Sequence, residues 1–219
     1  SSRAEYSIRE ALLHQARLGG DWEQLRRYVW APEQRHEEFE WELEHHRAHE
    51  ELAQFNAPAV VNQLRWRGER SVLVVGYGGE AYRAVLEQRL RGVRVEVVNP
   101  FCNGEPSLEA ISQGKYELVL LSGLLGAARR GQVRWLLEKA TAQLSEDGRL
   151  VMYDAFVSST VLPAPEVVLG GLARRVRRGA CRDWTLDRLR EELGELGYRV
   201  VEAKPLAAGT VVVIAERVW

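Results

Sequence analysis

The ten residues Ser71–Glu80, SVLVVGYGGE, constrain this chain more than any other stretch. Four apolar residues, Val72 to Val75, run without a polar break into Gly76-Tyr77-Gly78-Gly79. Ala81, Tyr82, Val85, Leu86 and Leu90 then follow at helical spacing. A continuous apolar strand must be covered on both sides, the condition of a parallel sheet with helices on its two faces. The glycines allow a tight turn and close backbone approach to a ligand. The N–H groups that open the next helix can face a bound polar group. The stretch reads as strand, glycine-rich turn and helix, the opening of a nucleotide-type α/β domain. A tight turn with no ligand is the competing reading of the glycines taken alone.

The rest of the chain divides at about residue 68. Residues 1–68 read as a helical N-terminal segment, suited to dimerisation or to covering a site, and residues 69–219 as a Rossmann-like domain. In the first part, helices are expected over 4–18, 21–30 and 32–55, the last with an apolar stripe of Trp41, Ala48, Leu52 and Phe55. Asn56 and Pro58 are expected to break it, with a further short helix over 59–66. In the second part, strands are expected at 71–76, 93–98, 117–121 and 149–153, the last after an Asp147-Gly148 turn. Helices are expected at 79–91, 107–112, 131–144, 164–177 and 185–196, and a closing hairpin at 199–204 and 210–216. The fold class is therefore α/β: a doubly wound, mostly parallel sheet with a C-terminal antiparallel hairpin, preceded by helices.

At 219 residues and 46% apolar content the chain has the material for a full core. A net charge of −1 argues against nucleic acid and against a membrane surface, and no run of about 18 apolar residues offers a span. Cys102 and Cys181 fall in different loops and make neither a disulfide framework nor a metal motif. Together with the lack of a signal-peptide pattern, this gives the cytoplasm as the expected location.

Parallel strands, helical crossovers and a terminal hairpin in this order resemble the class I S-adenosylmethionine-dependent methyltransferase fold. The closer resemblance is to the C-terminal domain of small-molecule O-methyltransferases that carry a separate N-terminal dimerisation domain. It rests on APEQRHEEFEWELEHHRAHEELAQFNAPAVV, similar to their linking helix, and SVLVVGYGG, similar to their cofactor turn. YELVLLSGLL, RWLLEKATAQLSEDGRLVMYDAFV and DWTLDRLREELGELGYRVVEAKPLAAGTVVVIAE resemble their later strands and helices. The resemblance implies S-adenosylmethionine as cofactor, a small-molecule methyl acceptor and a homodimer or partner subunit. It places Gly76, Tyr77, Gly78 and Gly79 around the amino-acid end of the cofactor, Asn99 at the ribose, and Ser122 and Gly123 beneath it. It names no catalytic residue and no metal ligand.

Four departures from that family stand in the sequence. The acid usual two residues before the first glycine is Val74, and the position of the last motif glycine is Glu80. The carboxylate that grips the ribose hydroxyls is replaced by Asn99. Only 17 residues, Pro100 to Tyr116, separate the second strand from the YELVLL strand. Two crossovers and a strand need roughly 25–30, so the family's third strand is expected to be missing, with the second strand at the edge. The general-base histidine would fall near Gly126, and the last histidine of the chain is His49. These departures keep open a non-catalytic relative that serves as a ligand-binding, scaffold or dimer-partner protein, with cofactor binding weakened or lost.

Four other features compete for a role. His45 and His49, flanked by Glu38 and Glu42, have helical metal-pair spacing but no third ligand, so a polar helix flank is the plainer reading. Arg174, Arg175, Arg177, Arg178 and Arg182 read as solvated cations near a helix C-terminus. Trp22, Trp30, Trp41 and Trp66 are expected to pack between helices or subunits. Asp154, at the end of its strand, either meets an acceptor or caps the following turn.

Overall fold

The computed structural model describes residues 50–99, 114–126, 132–156, 184–206 and 210–218. The histidines, both cysteines, the arginine cluster, Trp22, Trp30 and Trp41, and the helices expected before residue 50, over 107–112 and over 164–177 lie outside these residues. The described chain opens with a helix over 50–63, α1. There follow β1 (Ser71–Gly76), α2 (Gly79–Arg89), β2 (Arg94–Val98), β3 (Tyr116–Ser122), α3 (Gln132–Ala142) and β4 (Leu144–Ala155). Next come α4 (Leu186–Glu195), β5 (Tyr198–Pro205) and β6 (Thr210–Arg217). The six strands form one sheet in the order β2-β1-β3-β4-β6-β5. The first four are parallel, and β6 runs antiparallel to both β4 and β5. This is the mostly parallel sheet with a terminal hairpin that the sequence implies. Among the described residues β2 pairs only with β1 and forms the sheet edge.

Alternation along the central strands sorts their side chains to two faces. Leu73 and Val75 of β1, Val119 and Leu121 of β3, Leu150 and Met152 of β4, and Val213 and Ala215 of β6 enter one buried cluster. Val133, Leu136, Leu137 and Ala140 of α3 and Leu189 and Leu193 of α4 cover that face. Val72 and Val74, Leu118 and Leu120, Val151, and Val212 and Ile214 enter the other cluster, covered by α1 and by Tyr82 and Leu86 of α2. Burial on both sides is why these strands read as unbroken apolar runs.

Two expectations about elements need correction. The helix does not break at Asn56 and Pro58: α1 is continuous, and no separate helix runs over 59–66. Its buried residues are Ala53, Ala57, Val60 and Val61, with Leu64 buried just past its end, while Leu52 and Phe55, assigned to the apolar stripe, are 54% and 79% exposed. Pro58 lies on the exposed side. The hydrogen bond that proline removes is outweighed by the apolar face that the helix lays on the sheet. The strand expected to begin at Arg149 starts instead at Leu144, with the register shifting between Tyr116 and Leu118 of its partner. Asp147-Gly148 is thus an irregularity inside β4. A Cβ on Gly148 would stand 2.8 Å from the Tyr116 carbonyl oxygen, which explains glycine there. Trp66 packs partly buried against the second cluster.

Candidate functional site

β1, β3 and β4 end side by side, with Gly76 opposite Ser122 and Ser122 opposite Tyr153. Val75 is opposite Val98, so Asn99 follows at the same edge. The sequence-predicted residues Gly76, Tyr77, Gly78, Gly79, Asn99, Ser122 and Gly123 therefore meet at the carboxyl ends of three adjacent strands. In an open α/β sheet this is where ligands bind.

Hydrogen bonds extend the sheet past its strand ends. The Tyr77 N–H donates to the Ser122 carbonyl at 3.1 Å, and the Gly123 N–H donates to the Tyr153 carbonyl at 2.8 Å. Gly76 has φ 123°, and a Cβ there would stand 2.2 Å from the Ser122 carbonyl oxygen. Gly79 lets α2 settle on β2, since its Cβ would stand 2.1 Å from Cγ1 of Val97. Both glycines thus have packing reasons that do not depend on a ligand. The Tyr77 side chain is buried in the first core cluster, so Tyr77 belongs to the turn through its backbone. Asn99 is half-buried and Ser122 is buried.

The charges around the turn are arranged in ways the sequence did not announce. Val74 is fully buried between Val97 and Leu120 in the sheet. A carboxylate in its place would be desolvated at large cost without a partner. Glu80 is exposed and pairs with Arg83 at 3.0 Å, one turn along α2. From α1, Glu50 reaches across and accepts a hydrogen bond from the Gly78 N–H, Oε1 to N 3.0 Å. Gly78 precedes α2 and provides no side-chain cap of its own, so Glu50 supplies the acceptor. Nothing local marks Glu50, because its partner lies 28 positions away.

Asp154 sits buried at the end of β4. Its Oδ2 accepts from the N–H groups of Leu125 at 2.7 Å and Gly126 at 3.1 Å, and its Oδ1 from Ala155 at 2.8 Å. It ties the loop after β3 to β4, so its caps include a neighbouring turn as well as its own. Two tyrosines behind the edge are shifted away from base chemistry. Burial pushes the Tyr82 hydroxyl well above its ordinary range, with Ser122 opposing and Tyr153 adding. Burial also raises Tyr153, opposed by Thr210 and reinforced by Asp154. Both stay protonated at neutral pH and cannot take a proton from an acceptor.

Among the described residues no group of three or more histidines, cysteines or acids could hold a metal ion. A cavity of about 430 Å³ lies at the other end of the strands, lined by Arg67, Glu69, Glu117 and Arg149 among others, away from the glycine turn.

No family model and no curated protein matches the sequence. Solved structures match in fold. The mitomycin 7-O-methyltransferase MmcR superposes with a TM-score of 0.73 at 18% identity, over 99% of this chain and 69% of its own. LaPhzM gives 0.73 at 13% identity, over 99% and 70%. PigF with SAH gives 0.66 at 13% identity, over 98% and 69%. The chain thus has the S-adenosylmethionine-dependent methyltransferase fold and resembles the C-terminal domain of small-molecule O-methyltransferases.

Proposed function

We propose that this chain is an S-adenosylmethionine-dependent methyltransferase-like protein that holds an adenosyl ligand at the glycine turn and, when active, methylates a hydroxyl of a small-molecule acceptor. The observation that carries this reading is the meeting of Gly76–Gly79, Asn99 and Ser122–Gly123 at one carboxyl edge. The residues present fit the cofactor in part. The turn can approach its amino-acid end by backbone, and the Asn99 amide can bond a ribose hydroxyl. Bound there, the cofactor would supply an electrophilic methyl on its sulfonium. Val74 does not fit the family's pattern, since it offers no polar group, and Glu50 engages a turn N–H. A homodimer and a cytoplasmic location belong to the same proposal.

A second reading is a non-catalytic relative that keeps the fold for ligand binding or for pairing with a partner. It is favoured by Asp154, whose carboxylate is engaged by three backbone N–H groups rather than presented to an acceptor.

Calorimetric titration with S-adenosylmethionine and S-adenosylhomocysteine tests both. Hydrogen bonds to charged groups contribute about 1.5–3 kcal/mol against roughly 1 for neutral ones. Loss of the acids at positions 74 and 99 then weakens binding on the order of a hundredfold, at about 1.4 kcal/mol per tenfold. Asn99→Asp should tighten binding about tenfold. A low-micromolar dissociation constant for the unaltered protein, or cofactor retained through purification, would contradict the weakening. Methyl transfer from labelled cofactor to a hydroxylated acceptor would remove the non-catalytic reading.

A further inference from the structure

The carboxylate of Glu50 is the unexpected group at the turn. A backbone N–H has one hydrogen to give, and that of Gly78 is given to Glu50 at 3.0 Å. A ligand carboxylate aimed at the same N–H would have to displace Glu50 and would meet a like charge beside it. A second acid, Glu80, lies in the first turn of the helix that Gly78 opens. Glu80 is partly balanced by Arg83, whereas Glu50 brings its charge from a different helix directly onto the turn. Glu50 therefore sets a carboxylate on a position that, with no side chains, would favour an anion. Its charge opposes that preference and favours a cationic or uncharged end group.

We infer that Glu50 is a specificity-determining residue that closes the Gly78 N–H to ligand carboxylates, so that the turn selects adenosyl sulfonium ligands lacking a carboxylate. The inference rests on the turn being the adenosyl site. Glu50 is exposed, so its contact is a competitor for the N–H rather than a lock built into the core. Its removal leaves the buried face of α1 in place, because Ala53, Ala57, Val60 and Val61 carry that packing. Glu50→Gln keeps the shape and an acceptor oxygen while removing the charge, and Glu50→Ala removes both.

The test compares S-adenosylmethionine with its decarboxylated form, two sulfonium ligands that differ only by the carboxylate. Both are titrated calorimetrically into the wild-type chain, Glu50→Gln and Glu50→Ala. The wild type should bind the decarboxylated form at least tenfold more tightly. Glu50→Ala should shrink that ratio about tenfold by improving the carboxylated ligand, with Glu50→Gln in between. A ratio unchanged by either substitution overturns the inference. So does a loss of S-adenosylmethionine affinity in Glu50→Ala, which would mean that Glu50 pairs with the ligand's ammonium.

Hydrogen exchange at the Gly78 amide reads the contact without any ligand. It should speed up at least tenfold in Glu50→Ala, and an unchanged rate overturns the inference whatever binds. If exchange speeds up but neither ligand binds any of the three proteins, the reading of the turn as an adenosyl site fails, and the inference falls with it.

Discussion

Gly79 is held to a hydrogen atom by one valine. Its missing Cβ would stand 2.1 Å from Cγ1 of Val97 and 3.3 Å from Cβ of the same residue. Valine is stiff about χ1, so Val97 cannot swing aside as a long side chain would. Gly79→Ala should therefore lower stability by about 1–3 kcal/mol through overpacking, even though alanine is the better helix former. Shortening the obstacle should return part of the loss. In urea denaturation the pair Gly79→Ala and Val97→Ala should be less unstable than the sum of the singles, and strict additivity would disprove the contact. Tyr82 makes a different prediction at the same scale. Its hydroxyl pKa is raised in the folded state by burial above all, with Ser122 opposing and Tyr153 adding. Above about pH 10 the unfolded chain gives up this proton while the folded chain keeps it, so the unfolded state gains. Stability contributed here is whole below pH 10 and falls as pH rises further. Tyr82→Phe should flatten that alkaline decline, leaving the part due to Tyr153; an equally steep decline would exclude Tyr82 as a source.

At the scale of elements, α1 is where local rules and the fold disagree. Pro58 inside a helix costs roughly 3 kcal/mol relative to alanine, which is why its position reads as a break. The helix persists because four residues on one face, Ala53, Ala57, Val60 and Val61, enter the core cluster with Val72, Val74, Leu118 and Leu120, and Leu64 joins them just past its end. Since Pro58 is exposed, Pro58→Ala removes the penalty without disturbing that face. It should raise stability by about 1–3 kcal/mol and increase helical circular dichroism, and a fall in melting temperature would mean that the proline ring has a packing role. The strands were legible for the opposite reason. Val72 to Val75 and Leu118 to Leu121 are buried on both faces, so their run needs no partner to be recognised. The irregular start of β4 was not legible, because Asp147-Gly148 has the composition of a turn and only the Tyr116 carbonyl shows why it lies within a strand.

For the whole molecule, what escaped the sequence are contacts between distant positions. The glycine turn, Asn99 and Ser122–Gly123 were given one edge by the family resemblance, and the strand order brings them together there. Glu50 on Gly78 and Glu69 on Arg149 could not, since neither charge carries a local sign of its partner. Arg149 donates through Nη2 to Oε1 of Glu69 across 80 positions, and both side chains are almost completely buried. Glu69 Oε2 also accepts from the Arg67 N–H at 2.7 Å, and Arg67 pairs with Glu216 at 2.5 Å. The segment that leads into β1 is thereby joined to β4 and β6 at the end of the sheet opposite the candidate site. Removing one partner leaves an uncompensated buried charge, which costs about 3–5 kcal/mol. Replacing both by apolar residues of similar size removes the charges together and is often neutral or stabilising. Glu69→Leu and Arg149→Met should each lower the urea midpoint strongly, while the double substitution should recover most of the loss. The exposed Arg67–Glu216 pair provides the contrast: its worth is about 0–1 kcal/mol and shrinks with salt. Strong coupling at Glu69–Arg149 that survives high salt would place the pair's effect in the buried interior, and coupling abolished by salt would assign it to the surface instead.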